Sequence, residues 1–405
     1  MDRFRVRFRW VFPPGQSPIE DAIVTFEDGH VSDVTTSHTA DIDCSVNAAL
    51  IAGVVNAHTH LEFSDLEIPL TPAEPFTGWI RALLQHRRTR TMPTAEIIAA
   101  GLKEVSRSGT TLVGEINTTG DLPVYRDAPS RSVVFRELLG LTASSIADQL
   151  EIARAHVAHP TDNSTCINAL SPHAPYSVHP DLLRDIVQVA RDVSRPVAMH
   201  VAETLAEREL LSDGTGEFRV MLEEFGLFSA ELFGGRRPLD ELRQLSHADR
   251  GLIIHGNYLD ADEINFLSDC EHMTVVYCPR THSFFGHESH PWQTFIANGV
   301  RVALGTDSRA SNPDLNVWEE AKFLYRQHPE ASPASILEMV TVAGEAGLVG
   351  SNQTTPEITN RRTDQLSLVH LPERVGRDPY ASLFHSEGRC GSLDEVMQSR
   401  TQDRT

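Results

Sequence analysis

The stretch LIAGVVNAHTHLEFS, Leu50 to Ser64, runs from an almost unbroken apolar segment into two histidines one residue apart. An apolar run of this length, ended by polar residues, has the pattern of a strand buried on both faces, as in a parallel sheet. Side chains two apart on a strand share a face, so His58 and His60 are expected to point together into the interior, with Ala57 and Thr59 toward covering helices. Such a pair can grip one metal ion. A pair of hydrogen-bonded histidines in a polar pocket has the same pattern, so the rest of the chain must decide.

Downstream, short apolar strands alternate with helical stretches. Candidate strands begin near Ala52, Thr110, Ser132, Thr165, Arg195, Gly251, Thr274 and Arg301. Between them lie TAEIIAAGLKEVSRSG (Thr94–Gly109) and HPDLLRDIVQVARDV (His179–Val193), whose apolar residues recur at helical spacing behind a cap or proline. Eight such units in roughly 250 to 300 residues predict an α/β fold of the (β/α)8 barrel type, placed at residues 52–359. No Gly-rich G-x-G-x-x-G turn follows the first strand, which argues against an open doubly wound sheet. The flanks read differently. FRVRFRWVF (Phe4–Phe12), DAIVTFEDGHVSDV (Asp21–Val34) and DQLSLVHL (Asp364–Leu371) alternate as strands, and EDGH is a hairpin signal. Residues 1–51 and 360–405 are therefore expected to form a small composite β-sandwich beside the barrel. The polar tail after Pro372 is expected to pack on that sandwich or to be partly disordered.

Bulk composition narrows the partners. Over 405 residues, 35 basic against 56 acidic side chains give a formal charge of −21, which repels nucleic-acid phosphates and anionic membranes. The amino-terminal MDRFRVRFRWVFPPG breaks the apolar core that a signal peptide needs, and five widely spaced cysteines without a C-x-x-C suit reduced thiols. A cytoplasmic protein acting on a small molecule, with no membrane or nucleic-acid partner, is the expectation.

The chemistry collects at strand ends. VAMHVAET places His200 at the end of the fifth strand, GLIIHGN places His255 at the end of the sixth, and ALGTDS places Asp307 at the end of the eighth. In a parallel barrel these ends share one face, so His58, His60, His200, His255 and Asp307 are expected to converge. Four imidazoles and a carboxylate suit one borderline divalent metal, Zn2+ or Fe2+, with a position left for water. Glu203 sits at the next strand-to-helix corner, before a capping box of Thr204 and Glu207. It is expected to move protons between water and substrate, a task a metal does not perform; the plainer reading is an acidic residue favouring a helix N-terminus.

GVVNAHTHLEFS, HVAET, HGN and GTDSRASNPDLNVWEEAKF resemble the amidohydrolase superfamily, in its branch of cytosine, guanine and S-adenosylhomocysteine deaminases and triazine hydrolases. The resemblance covers nearly the whole chain. It implies a distorted barrel with a β-sandwich and one ion held by His58, His60, His200 and Asp307. It also implies His255 beside the attacking water and Glu203 as the acid/base. Two-metal members carry a lysine at the end of the fourth strand, and CINALSPHAPYSV (Cys166–Val178) has none. His173 in that segment resembles a substrate-facing histidine of the S-adenosylhomocysteine deaminases. After the seventh strand the chain departs from most of the branch with CPRTHSFFGHESHPW (Cys278–Trp292), wording similar to aminodeoxyfutalosine deaminases. There Arg280 is expected to pair with a benzoate carboxylate, with His282 near it. Glu115, Arg136 and Glu137 are further candidates for sugar or carboxylate contacts.

The expected function is a metal-dependent hydrolytic deaminase that removes an exocyclic amine from a nitrogen heterocycle. Adenine nucleoside derivatives such as aminodeoxyfutalosine, S-adenosylhomocysteine or methylthioadenosine are the expected substrates. An s-triazine chlorohydrolase or cyclic amidohydrolase on the same metal site is the alternative, and a homodimer is expected from the branch.

Overall fold

The computed structural model describes residues 3–37, 41–120, 123–159, 165–350, 357–373 and 376–393, so the last part of the expected tail, 394–405, lies outside the described residues. Four strands open the chain: β1 (Phe4–Phe12), β2 (Ile19–Glu27), β3 (His30–Thr35) and β4 (Cys44–Ala52). Eight follow with helices between them: β5 (Val54–Thr59), β6 (Thr110–Asn117), β7 (Arg131–Leu138), β8 (Cys166–Pro172), β9 (Val197–Val201), β10 (Gly251–His255), β11 (Met273–Tyr277) and β12 (Arg301–Leu304). The chain returns in β13 (Leu366–His370) and β14 (Arg389–Ser392).

Strands β5 to β12 are parallel and neighbour one another in chain order, so they form the (β/α)8 barrel that the alternating pattern predicts. The ring closes where Thr59 bridges Asp307 and the carbonyl of His58 accepts the amides of Thr306 (3.0 Å) and Asp307 (3.1 Å). It is looser between β8 and β9, where the strands pair only at Leu170 and Val197. Outward residues such as Val197, Met199, Ile253 and Val302 pack against Leu182, Ile186 and Leu242 of the covering helices. Inward residues such as Val133, Phe135, Ala169, Ala198, Ile254 and Ala303 fill the ring, joined by Leu348 and Val349 of helix Val342–Val349.

One detail of the opening stretch differs from a regular strand. Ala57 belongs to the inward cluster rather than facing the helices. Pairing to β6 shifts register between Asn56 and Thr59, and such an irregularity re-aims the side chains that follow it. His58 and His60 both reach the barrel mouth because the alternation breaks, not because it persists.

The remaining strands form one six-stranded sheet, ordered β14-β13-β4-β1-β2-β3, in which only β1 and β4 run parallel. The EDGH hairpin is present: Asp28 (φ 53°) and Gly29 (φ 77°) form a two-residue turn with both residues left-handed, the type whose twist matches its strands. The chain passes from this sheet into the barrel through Gly53. A Cβ there would lie 2.3 Å from Thr111 Oγ1 and 2.9 Å from the Gln365 carbonyl, so only glycine lets β4 run directly into β5. No helix among the described residues is long and apolar enough to cross a membrane.

The seam gives a test. A Cβ at Gly305 would meet both the Cβ and the carbonyl oxygen of His58 at 2.9 Å. Gly305→Ala is expected to destabilise the fold by about 1–3 kcal/mol through overpacking, read as a lower urea midpoint. An unchanged midpoint would contradict the tight seam.

Candidate metal centre and active site

Three imidazoles meet at the mouth of the barrel. His58, His60 and His200 each offer a nitrogen, and these nitrogens all lie within 4.8 Å of one another. The side chains arrive from the ends of two strands: His58 from β5, His60 just beyond it, and His200 from β9. The His200 Nδ1–H donates to the His173 carbonyl at 2.9 Å, which leaves Nε2 as a bare lone pair facing His60 Nε2 at 3.3 Å. Neither nitrogen of buried His58 has a hydrogen-bond partner. Burial, followed by the neighbouring imidazoles, holds His60 and His200 well below the ordinary histidine range, so both are neutral near pH 7.

Asp307 completes the ring of donors. Its Oδ1 lies 3.6 Å from His58 Nε2 and 3.7 Å from His60 Nε2, while Oδ2 accepts the Ser311 hydroxyl at 3.0 Å. A buried polar nitrogen without a partner costs about 1–3 kcal/mol, and His58 carries two. A divalent ion among three neutral imidazoles and a carboxylate would satisfy these orphaned atoms with the nitrogen and oxygen donors that zinc and similar ions accept. The residues present fit such an ion.

The proton-handling pair lies beside this cluster. His255 Nε2 is 3.3 Å from Glu203 Oε1. Burial, then the charges of Asp307 and Glu207, push the Glu203 carboxyl well above its usual range; burial, then His200 and His58, push His255 well below its own. Both shifts favour the uncharged partners, a carboxyl beside an imidazole, over an ion pair. Thr204 caps helix Leu205–Asp213 by accepting the Glu207 amide at 3.0 Å. The Glu207 carboxylate turns back to accept the amides of Ala202 (2.7 Å) and Glu203 (3.2 Å), and Asn257 holds the Glu203 carbonyl at 2.9 Å. Ala202, His255 and Asp307 all adopt left-handed backbone, with φ of 53°, 69° and 56°. Each such conformation costs of order 1–3 kcal/mol in a non-glycine residue; His255 and Asp307 line the cavity, while Ala202 packs in the cluster between barrel and helices.

The centre opens into a cavity of about 410 Å³. His60, His173, His200, Glu203, His255 and Asp307 form its floor, with Glu137 and Arg87 on one wall. Apolar residues make the rest, chiefly Phe76, Trp79, Ile80 and Leu83 of helix Phe76–Thr89, Met221 and Leu222 of helix Gly216–Glu224, and Phe225 and Leu227 beyond it. The two helices are tied by the Thr77 hydroxyl, which donates to Glu217 at 2.7 Å. Sequence reading did not single out Arg87, Tyr176 or this apolar lid. They sit on connections after the strands, in helices such as Phe76–Thr89 or in turns such as that of Tyr176, and a sequence pattern does not show what such residues are buried against.

Four expected substrate contacts do not line this cavity. Arg280 gives its guanidinium to Glu320 (2.6 Å), to both oxygens of Asp314 (2.7 and 3.0 Å) and to the Asn316 carbonyl (3.1 Å), so its bidentate carboxylate is internal. His282 packs among Tyr277, His287 and His290, its pKa pushed down to about 4 by burial. Glu115 accepts the Leu61 amide (2.9 Å) and the Tyr125 hydroxyl (3.1 Å), which anchors the turn just after His60. The half-buried Arg136 lies against Gly120 and does not line the cavity. His173 does face the cavity, with Nδ1 bonded to the Ser177 hydroxyl at 2.7 Å.

Residues 49–347 match the profile of the Amidohydrolase family. The aminodeoxyfutalosine deaminase of Deinococcus radiodurans is 30% identical over 353 residues, 83% of this chain and 81% of that one. The 5-methylthioadenosine/S-adenosylhomocysteine deaminase of Pyrococcus furiosus is 28% identical over 399 residues, 92% of this chain and 88% of its own. Among solved structures, Helicobacter pylori aminofutalosine deaminase in complex with methylthio-coformycin superposes with a TM-score of 0.80 at 21% identity, over 95% of this chain and 97% of that one.

If the histidine cluster is an ion site, zinc must stabilise the fold. Zinc at a hundredfold excess over its dissociation constant is expected to add about 2.7 kcal/mol, read as a rise in thermal midpoint. His200→Ala is expected to lose most of that rise. An equal rise in the variant would place the ion elsewhere.

Proposed function

This chain belongs to the amidohydrolase family, and on that footing we propose that it is a metal-dependent hydrolytic deaminase of adenine nucleoside derivatives. The observation that carries the reading is the Glu203 carboxyl held 3.3 Å from His255, next to three imidazoles whose nitrogens lie within 4.8 Å of one another. The names of the relatives from Deinococcus and Pyrococcus support the same chemistry. A cavity with one polar end and aromatic walls suits a flat heterocycle whose amine-bearing carbon enters first.

We assign one ion to the site, Zn2+ in preference to Fe2+, held by His58, His60, His200 and Asp307. Such an ion, when bound, supplies Lewis-acid activation of a water molecule. The chain's own residues then manage protons and charge. Asp307, its Oδ2 fixed by Ser311, accepts a proton from the attacking water. Glu203 delivers its proton to the ring nitrogen adjacent to the carbon under attack, so the new carbon–oxygen bond forms without negative charge building on the ring. His255 donates a hydrogen bond to the incoming oxygen and stabilises the tetrahedral carbon. Asp307 then passes its proton to the exocyclic nitrogen and the new hydroxyl gives its proton to Glu203 as the carbon–nitrogen bond breaks, so ammonia leaves, a carbonyl remains on the ring and both carboxyl groups return to their starting states. Aminodeoxyfutalosine, S-adenosylhomocysteine and methylthioadenosine are the first substrates to assay.

Metal-replete protein is expected to release ammonia from adenine nucleosides and no chloride from s-triazines, and a chelator is expected to abolish the ammonia. Glu203→Gln is expected to lower kcat by about 10²- to 10⁴-fold, the usual worth of a placed general acid. Full activity in that variant would rule out the deamination scheme.

A further inference from the structure

Glu137 is an acidic side chain that the proposed chemistry leaves unused. It lies near the end of β7, faces the cavity, and its side chain is 4% exposed. Among the described residues it has no hydrogen-bond partner; His173 Nε2 lies 4.0 Å from its Oε1. Burial pushes its carboxyl up to about 7, an increase that the Arg87 guanidinium opposes. The Glu137 carboxyl faces the cavity with no protein donor among the described residues, so a donor on a bound ligand has room to meet it. Arg87 stands beside it. Its Nε and Nη2 are bound to Glu62 at 3.0 and 2.6 Å, which leaves Nη1 as a spare donor on the cavity wall.

Position sets what the pair can bind. The His173 ring lies 5.1 Å from the His200 ring on one side and 4.0 Å from Glu137 on the other, so Glu137 sits one ring's reach beyond the metal end. A heterocycle with its amine-bearing carbon at His200 places the group on its opposite edge next to Glu137. A carboxylate accepts two adjacent hydroxyl donors, and a spare guanidinium N–H serves a hydroxyl lone pair.

We propose that Glu137, with Arg87 beside it, receives the vicinal hydroxyls of the substrate's sugar, making Glu137 a specificity-determining residue that selects ribosides over free bases. This rests on the deaminase reading above. The test measures kcat and KM of the holoenzyme for an adenine ribonucleoside, its 2′,3′-dideoxy analogue and adenine, in wild type, Glu137→Gln and Glu137→Ala. Wild type is expected to prefer the riboside over the dideoxy analogue by about 10- to 100-fold in kcat/KM, the range for hydrogen bonds to a charged group. Both variants are expected to bring that ratio close to one, chiefly through the riboside's KM. Because the readout is a ratio, a general loss of activity does not imitate it. A ratio unchanged in the variants, or near one in wild type, overturns the assignment while leaving deamination intact. Ammonia from no adenine compound overturns the deaminase reading and this assignment with it.

Discussion

The carbonyl of His58 accepts two amides, from Thr306 and Asp307, and thereby closes a ring of eight parallel strands. That contact joins two segments about 250 residues apart in sequence, and each carries a side chain of the proposed ion site. The seam fixes Asp307 within 4 Å of His58 and His60 before any ligand is present. His200 is fixed from the other side by the His173 carbonyl. The geometry of the centre is thus a by-product of barrel closure, and a change at the seam reaches the chemistry directly.

The low dielectric of the mouth then sets protonation. Burial opposes charge on His60, His200 and His255, which favours their neutral form, and on Glu203, which favours its protonated form. Neutral imidazoles are what a cation needs as ligands, and a protonated carboxyl is what a leaving amine and a ring nitrogen need as an acid. One physical cause supplies both halves of the proposed reaction. Left-handed backbone at His255 and Asp307 is the strain carried to keep these groups in the cavity.

Much of this was legible in the sequence because strand ends are legible. Apolar runs terminating in His58, His200 and His255 announce their own position, and parallel topology brings such ends together whatever the loops do. Asp307 lies three residues past the end of β12 and still enters the site, because the turn after the strand bends back to pair with Thr59. Contacts made by long side chains across loops were not legible. Arg280 reads as a free anion receptor until Glu320 and Asp314 are seen to surround it, and those two lie on the segment after β12. The orientation of Ala57 failed for a related reason: an irregularity in strand pairing leaves no mark on apolar periodicity.

The most direct test is X-ray absorption at the zinc edge on metal-replete protein. The account predicts one zinc per chain with a first shell of only nitrogen and oxygen at about 2.0–2.2 Å, including the multiple-scattering signature of three imidazoles. Sulfur in the first shell, a metal–metal vector, or fewer than three imidazoles would contradict a single ion gathered by His58, His60, His200 and Asp307.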